Sequence, residues 1–118
     1  MTRPPLGPLA RLSAALEHLA QTVDARALEG DSGTSWTAHL LAKGPDACAA
    51  KIAEEGAELA EAVIRESDDH VAAEAADVIY HLMVGLRSRG VPLDALAAKL
   101  EARQGTSGLA EKAARPKA

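Results

Sequence analysis

Aromatic residues are nearly missing from this chain: its 118 residues include no Phe, one Trp (Trp36) and one Tyr (Tyr80). That scarcity argues against strands, which favour aromatic and β-branched side chains, and against a base-stacking surface for nucleic acid. A single cysteine, Cys48, excludes an intrachain disulfide framework and fits a reducing, cytoplasmic compartment. No stretch approaches the ~18 uncharged apolar residues that span a membrane. The start, Met1-Thr2-Arg3-Pro4-Pro5-Leu6, is not followed by the long apolar run of a signal peptide. A basic block is absent too: the 13 Lys and Arg are scattered and the formal net charge is −4, so no nucleic-acid groove is indicated. An acidic protein that handles polyanions needs a cation between itself and its substrate.

What is present is alanine and leucine. Apolar residues make up 47% of the chain, enough for the core of one domain, and these two residues enter helices at little cost. Leu9, Leu12, Leu16, Leu19 and Val23 recur at spacings of three and four, which predicts an amphipathic helix from Pro8 to about Leu28. Glu29 to Thr34 reads as a loop. Ser35 to Ala42 reads as a short helix, ended by Lys43-Gly44-Pro45. A long helix follows over Asp46–Glu66. Ser67 or Asp68 caps the next, which runs to Arg89 and stops at Gly90. Pro92 opens a last helix to about Arg103. The tail, 104–118, is expected to be mobile or to fold only against a ligand or partner. The expected fold is therefore all-α, a single domain over 1–118 built as an antiparallel helical bundle.

The chemistry sits on the two long helices. At about 100° per residue, Ile52, Gly56, Leu59 and Val63 share one face of the first, with Glu54 and Glu61 nearly opposite. Glu55 and Glu58 fall between, three residues apart and therefore neighbours. Lys51, one turn before Glu55, favours its ionised form. The second long helix is apolar nearly all round, through Val71, Ala75, Val78, Ile79, Leu82, Met83, Val84 and Leu86. Along it His70, Glu74, Asp77 and His81, at steps of four, three and four, form one polar stripe.

Carboxylates on a buried helix must pair with Lys or Arg, stay protonated, or hold a metal. Lys51 alone cannot balance Glu55, Glu58, Glu74 and Asp77. The short turn at Ser67-Asp68-Asp69 lets the helices pack antiparallel with the two acidic pairs facing each other. Four hard oxygen ligands suit Mg²⁺, or Mn²⁺ as a substitute. Such a cluster suits phosphoanhydride chemistry, with Glu54 able to take a proton from water and Lys43 and Lys51 able to contact phosphates. Taken singly, each acidic pair reads as a solvated helix face, His81 as a hydrogen-bonded core histidine, His70 as a surface residue and Tyr80 as core packing. The joint pattern outweighs these readings because the second pair lies in a strongly apolar helix.

The residues Glu54-Glu55-x-x-Glu58 followed by Glu74-x-x-Asp77 resemble the signature of the all-α nucleotide pyrophosphohydrolases, the MazG-like superfamily. Ser35-Trp36-Thr37-Ala38-His39-Leu40-Leu41-Ala42-Lys43-Gly44, Lys51-Ile52-Ala53-Glu54-Glu55 and Glu74-Ala75-Ala76-Asp77-Val78-Ile79-Tyr80-His81-Leu82 narrow it: together they are similar to the phosphoribosyl-ATP pyrophosphohydrolase family. The resemblance covers roughly residues 9 to 103. It implies hydrolysis of phosphoribosyl-ATP to phosphoribosyl-AMP and pyrophosphate in histidine biosynthesis, a Mg²⁺ requirement, and a homodimer of helical subunits. It implies Glu55, Glu58, Glu74 and Asp77 as metal carboxylates with Glu54 close by. Ser35, Thr37, Lys43, Lys51 and His81 become substrate-side candidates. Trp36 stands where the family pattern leads one to expect Tyr. A house-cleaning hydrolase of (d)NTPs keeps the same chemistry and changes the substrate. A non-enzymatic helical interaction module is the alternative of a different class, and a di-iron carboxylate bundle is disfavoured because neither helix carries Glu-x-x-His.

Overall fold

The computed structural model describes residues 7–104 and 108–116. It consists of six helices among the described residues: α1 (Pro8–Glu29), α2 (Trp36–Lys43), α3 (Pro45–Arg65), α4 (Asp68–Ser88), α5 (Leu93–Ala102) and α6 (Gly108–Ala114). The elements read from periodicity are all present, displaced by a residue or two at their ends. Met1 to Leu6, on which the reading of the chain start rests, lie outside the described residues, as do 105–107 and 117–118. The tail, expected to be mobile, contains α6. Its sequence of Leu, Ala, Glu and Lys is rich in strong helix formers.

Local chemistry explains the boundaries. The Ser35 hydroxyl accepts from the Ala38 N–H at 3.1 Å and caps α2. The Ser67 hydroxyl does the same for the His70 N–H at 3.2 Å, which decides between the two candidate caps of α4. Pro45 occupies the first turn of α3, where a missing N–H costs nothing. At the other end of α4, Gly90 takes φ 68°, its N–H bonding to the Arg87 carbonyl while Val91 N–H reaches the Leu86 carbonyl. That is a Schellman closure, and the left-handed residue it needs is the glycine expected there.

The antiparallel pair α3–α4 is the most extensive packing in the molecule, with α2 laid against both and α1 against α2 and α4. The core is thin. Val23, Leu40, Cys48 and Val84 are buried together, with Leu19, Leu41, Tyr80 and Met83 packed around them. Of the face shared by Ile52, Gly56, Leu59 and Val63, the first three are half-buried and Val63 is 64% exposed, whereas Cys48, Glu55 and Ala62 are buried. The helix is rotated so that its Glu55 flank meets the polar stripe of α4. The apolar residues on the far sides, including Val63, Ile64 and Leu82, are left exposed.

The α1–α2 corner depends on Gly30. A Cβ there would lie 2.3 Å from the Arg26 carbonyl oxygen and 2.8 Å from Ala38 Cβ. The first contact is with backbone and cannot be relieved by a rotamer change. Gly30→Ala is expected to destabilise the protein by about 1–3 kcal/mol, as overpacking does. Denaturant unfolding of the two proteins checks this; equal midpoints would contradict it.

Candidate active site

Two helices supply the carboxylates. Glu54, Glu55 and Glu58 lie on α3, and Glu74 and Asp77 on α4. Oxygens of Glu55, Glu74 and Asp77 come within 4.8 Å of one another across the helix seam, and so do oxygens of Glu54, Glu55 and Glu58 along α3. Glu55 belongs to both groups and is the buried member; Glu74 is half-buried, while Glu54, Glu58 and Asp77 are exposed. A hollow of about 480 Å³ opens beside Glu58 and Glu74, bordered by Glu61, Glu66 and His70.

Positive charge at the cluster is sparse. Lys51 Nζ lies 3.3 Å from Glu54 and 3.5 Å from Glu55. Its hydrogen bond to Glu54, aided by the attraction of both carboxylates, raises its pKa against the opposing effect of desolvation. His70 Nε2 lies 3.3 Å from Glu74 Oε1, and His81 Nε2 lies 3.9 Å from Glu55 Oε1. Burial lowers the pKa of His81 and so favours its neutral form, although Glu55 pulls the other way. Repulsion from Glu55 is the first cause that raises the pKa of Glu58, followed by desolvation and hydrogen bonding with Glu55 and Glu74.

The donor set fits a hard divalent cation. Glu74 Oε2 and His81 Nδ1 are buried and have no hydrogen-bond partner among the described residues. A buried carboxylate oxygen without a donor is costly unless something else satisfies it. Oxygen ligands converging from two rigid helices are what Mg²⁺ or Mn²⁺ takes.

The remaining candidates are arranged differently. Thr37 is buried, and its hydroxyl is hydrogen-bonded to the Tyr80 hydroxyl, tying α2 to α4. Tyr80 meets the His81 ring edge-on at 4.9 Å. Ser35 spends its hydroxyl on the α2 cap. Lys43 is exposed in the last turn of α2, and among the described Lys and Arg residues it is Lys51 that pairs with the carboxylates of the cluster. His70, read from sequence as a surface residue, is half exposed yet touches Glu74. The signal was in the chain, since His70 opens the stripe that Glu74, Asp77 and His81 continue.

A helical scaffold with an acidic cluster shared by two facing helices is the class that fold and site define. A family model described as phosphoribosyl-ATP pyrophosphohydrolase matches residues 16–104. The chain is 54% identical over 101 residues to a phosphoribosyl-ATP pyrophosphatase of Cereibacter sphaeroides, covering 85% of this chain and 96% of the relative. It is 52% identical over 101 residues to one from Rhodobacter capsulatus, covering 86% and 97%. It is 49% identical over 102 residues to one from Ruegeria pomeroyi, covering 86% and 96%. The chain belongs to the phosphoribosyl-ATP pyrophosphohydrolase family. No solved structure matches it.

The raised pKa of Glu58 has a consequence for stability. A carboxyl group that binds its proton more tightly when folded stabilises the protein at low pH. That contribution is lost as pH rises from about 4.5, the ordinary value, through the folded-state value. In metal-free protein Glu58 is therefore expected to contribute a loss of thermal stability as pH rises through this window. Glu58→Gln is expected to flatten the loss and to melt higher than the parent at neutral pH. Calorimetry in the presence of a chelator measures both; an unchanged slope in the variant would contradict the assignment.

Proposed function

We propose that this chain hydrolyses phosphoribosyl-ATP to phosphoribosyl-AMP and pyrophosphate, the second step of histidine biosynthesis, in the cytoplasm. The observation that carries the reading is the convergence of Glu55, Glu74 and Asp77 across the α3–α4 seam, with Glu74 Oε2 left without a donor. Membership of the family supplies the substrate.

Glu55, Glu58, Glu74 and Asp77 would hold Mg²⁺, or Mn²⁺ in its place. When bound, the cation neutralises phosphate charge and acidifies water. The other roles belong to the chain's own residues. Glu54 is exposed at the rim of the cluster and accepts the proton of the attacking water. As the water oxygen bonds to phosphorus, the α–β phosphoanhydride bond breaks and pyrophosphate departs. Lys51, paired with Glu54 and Glu55 in the free protein, turns toward phosphate oxygens when substrate arrives, and Lys43 adds a second point charge. His81 is held neutral by burial and supports Glu55 from behind. Ser35 and Thr37 shape the α2 side of the substrate cleft.

Glu55→Gln and Asp77→Asn are each expected to lower turnover by at least ~10²-fold, the size of effect seen when a group that stabilises transition-state charge is removed. Helical content should be kept. A panel of phosphoribosyl-ATP, dCTP and dUTP, read by pyrophosphate release, tests the substrate. Faster turnover of a dNTP would reject phosphoribosyl-ATP as the natural substrate. Variants with parental activity would reject the catalytic reading altogether.

The protein works as a homodimer in this proposal. Support comes from the thin core and from the exposed Val63, Ile64 and Leu82 on the outer sides of α3 and α4. A second copy can cover that surface. Sedimentation is expected to give twice the chain mass, and Leu82→Glu to shift the protein toward monomer. A monomeric parent at micromolar concentration would refute the pairing.

A further inference from the structure

Trp36 is 53% exposed although it is the sole tryptophan of the chain. Its indole stacks on the His39 imidazole, with ring centroids 5.3 Å apart and planes at 24°. One face of the indole therefore meets the imidazole. On the α1 side of α2 the same indole borders a hollow of about 520 Å³, with Arg26, Glu29, Asp31, Thr34 and Thr37 among its walls. His39 borders a second, smaller hollow, which Trp36 also lines, and not this one. The indole, two carboxylates and one guanidinium thus line a space larger than a purine.

Resting on the phosphoribosyl-ATP reading, we propose that this hollow is the base subsite and that it selects a purine substituted at N1. The argument is electrostatic. Phosphoribosyl-ATP carries its extra ribose phosphate on the purine N1, and an N1-alkylated adenine is a stronger base than adenine and takes up a proton to become a cation. A cationic ring is attracted to the face of an indole. Glu29 and Asp31 add negative charge at the rim, which favours the cationic purine over the neutral base of ATP. Arg26 is placed to meet the phosphate of the N1-linked arm.

The subsite is connected to the carboxylates within one chain. Thr37 borders the hollow and is hydrogen-bonded to Tyr80, Tyr80 packs on His81, and His81 approaches Glu55. In the proposed pose the ribose and triphosphate of one substrate extend from the hollow toward the carboxylates. The inference gives Trp36 a role as a binding residue and makes Glu29 a determinant of specificity. Neither takes part in the bond-breaking step.

The fluorescence of the lone tryptophan reports the hollow directly. Full-length protein in chelator is titrated with 1-methyl-AMP, with AMP and with pyrophosphate. Quenching is expected from 1-methyl-AMP at concentrations at least ~5-fold lower than from AMP, within the range of cation–π attraction. Pyrophosphate should leave the signal unchanged. Glu29→Gln is expected to remove most of the preference. Trp36→Ala, at an exposed position and with helical content verified by circular dichroism, is expected to raise KM for phosphoribosyl-ATP roughly tenfold while kcat changes little, as loss of base stacking predicts. Equal responses to the two nucleotides, or an unaltered KM in Trp36→Ala, would overturn the proposal. If the protein turns over phosphoribosyl-ATP while Trp36 ignores both nucleotides, the base subsite fails and the activity stands. If a dNTP is the better substrate while Trp36 still prefers 1-methyl-AMP, the activity reading fails and the preference for an N1-substituted purine stands.

Discussion

Repulsion between carboxylates is built into the seam where α3 meets α4. Most helix pairs bury apolar side chains at their contact; here Glu55 is buried there and faces Glu74 and Asp77. Three like charges at that separation, in a medium less polar than water, oppose the packing of the two helices. Repulsion from Glu55, its neighbour on α3, is likewise the first cause that raises the pKa of Glu58. Lys51 relieves part of it, but it is shared between Glu54 and Glu55 and does not reach α4 among the described ion pairs. The helices remain together because the seam is apolar further along, where Cys48 and Val84 are completely enclosed.

This arrangement makes the pair of helices inside-out in part. The polar stripe of α4 points at its neighbour in the chain, and several of the large apolar side chains of α3 and α4 are directed away from it. A single copy of this length has little core to offset that exposure, since burial per residue is low in small domains. The thin cluster around Val23, Leu40, Cys48 and Val84 is consistent with such a limit. The same rotation that exposes Val63 is what delivers Glu55 to the acidic centre. Stability and chemistry therefore compete for the orientation of one helix.

The short helix α2 links the acidic centre to the rest of the chain. Its capping serine fixes its first turn, its threonine bonded to Tyr80 ties it to α4, and the close approach at Gly30 sets it against the end of α1. Fixed in this way, α2 holds Trp36 and His39 as a stacked pair at the surface rather than as part of the core. Two side chains, Thr37 and Tyr80, carry that placement to His81.

The local features were legible in the chain because they depend on neighbours in sequence. Helical periodicity, Ser35 and Ser67 as caps, Gly90 as a left-handed stop, and the acidic stripe at 74 and 77 all follow from spacing along one helix. The family, too, could be read from three short blocks. Periodicity assigns each residue an angle on its own helix, but it contains no information about how that helix is turned toward another. For that reason neither the exposure of Val63 nor the contact of the surface residue His70 with Glu74 could be read from it. Only the tertiary structure decided that Glu55 would be the buried carboxylate, that Thr37 would bond to Tyr80, and that Trp36 would border a hollow with Glu29 and Asp31. Those contacts join residues far apart in the chain, and their geometry is set by the packing of whole helices.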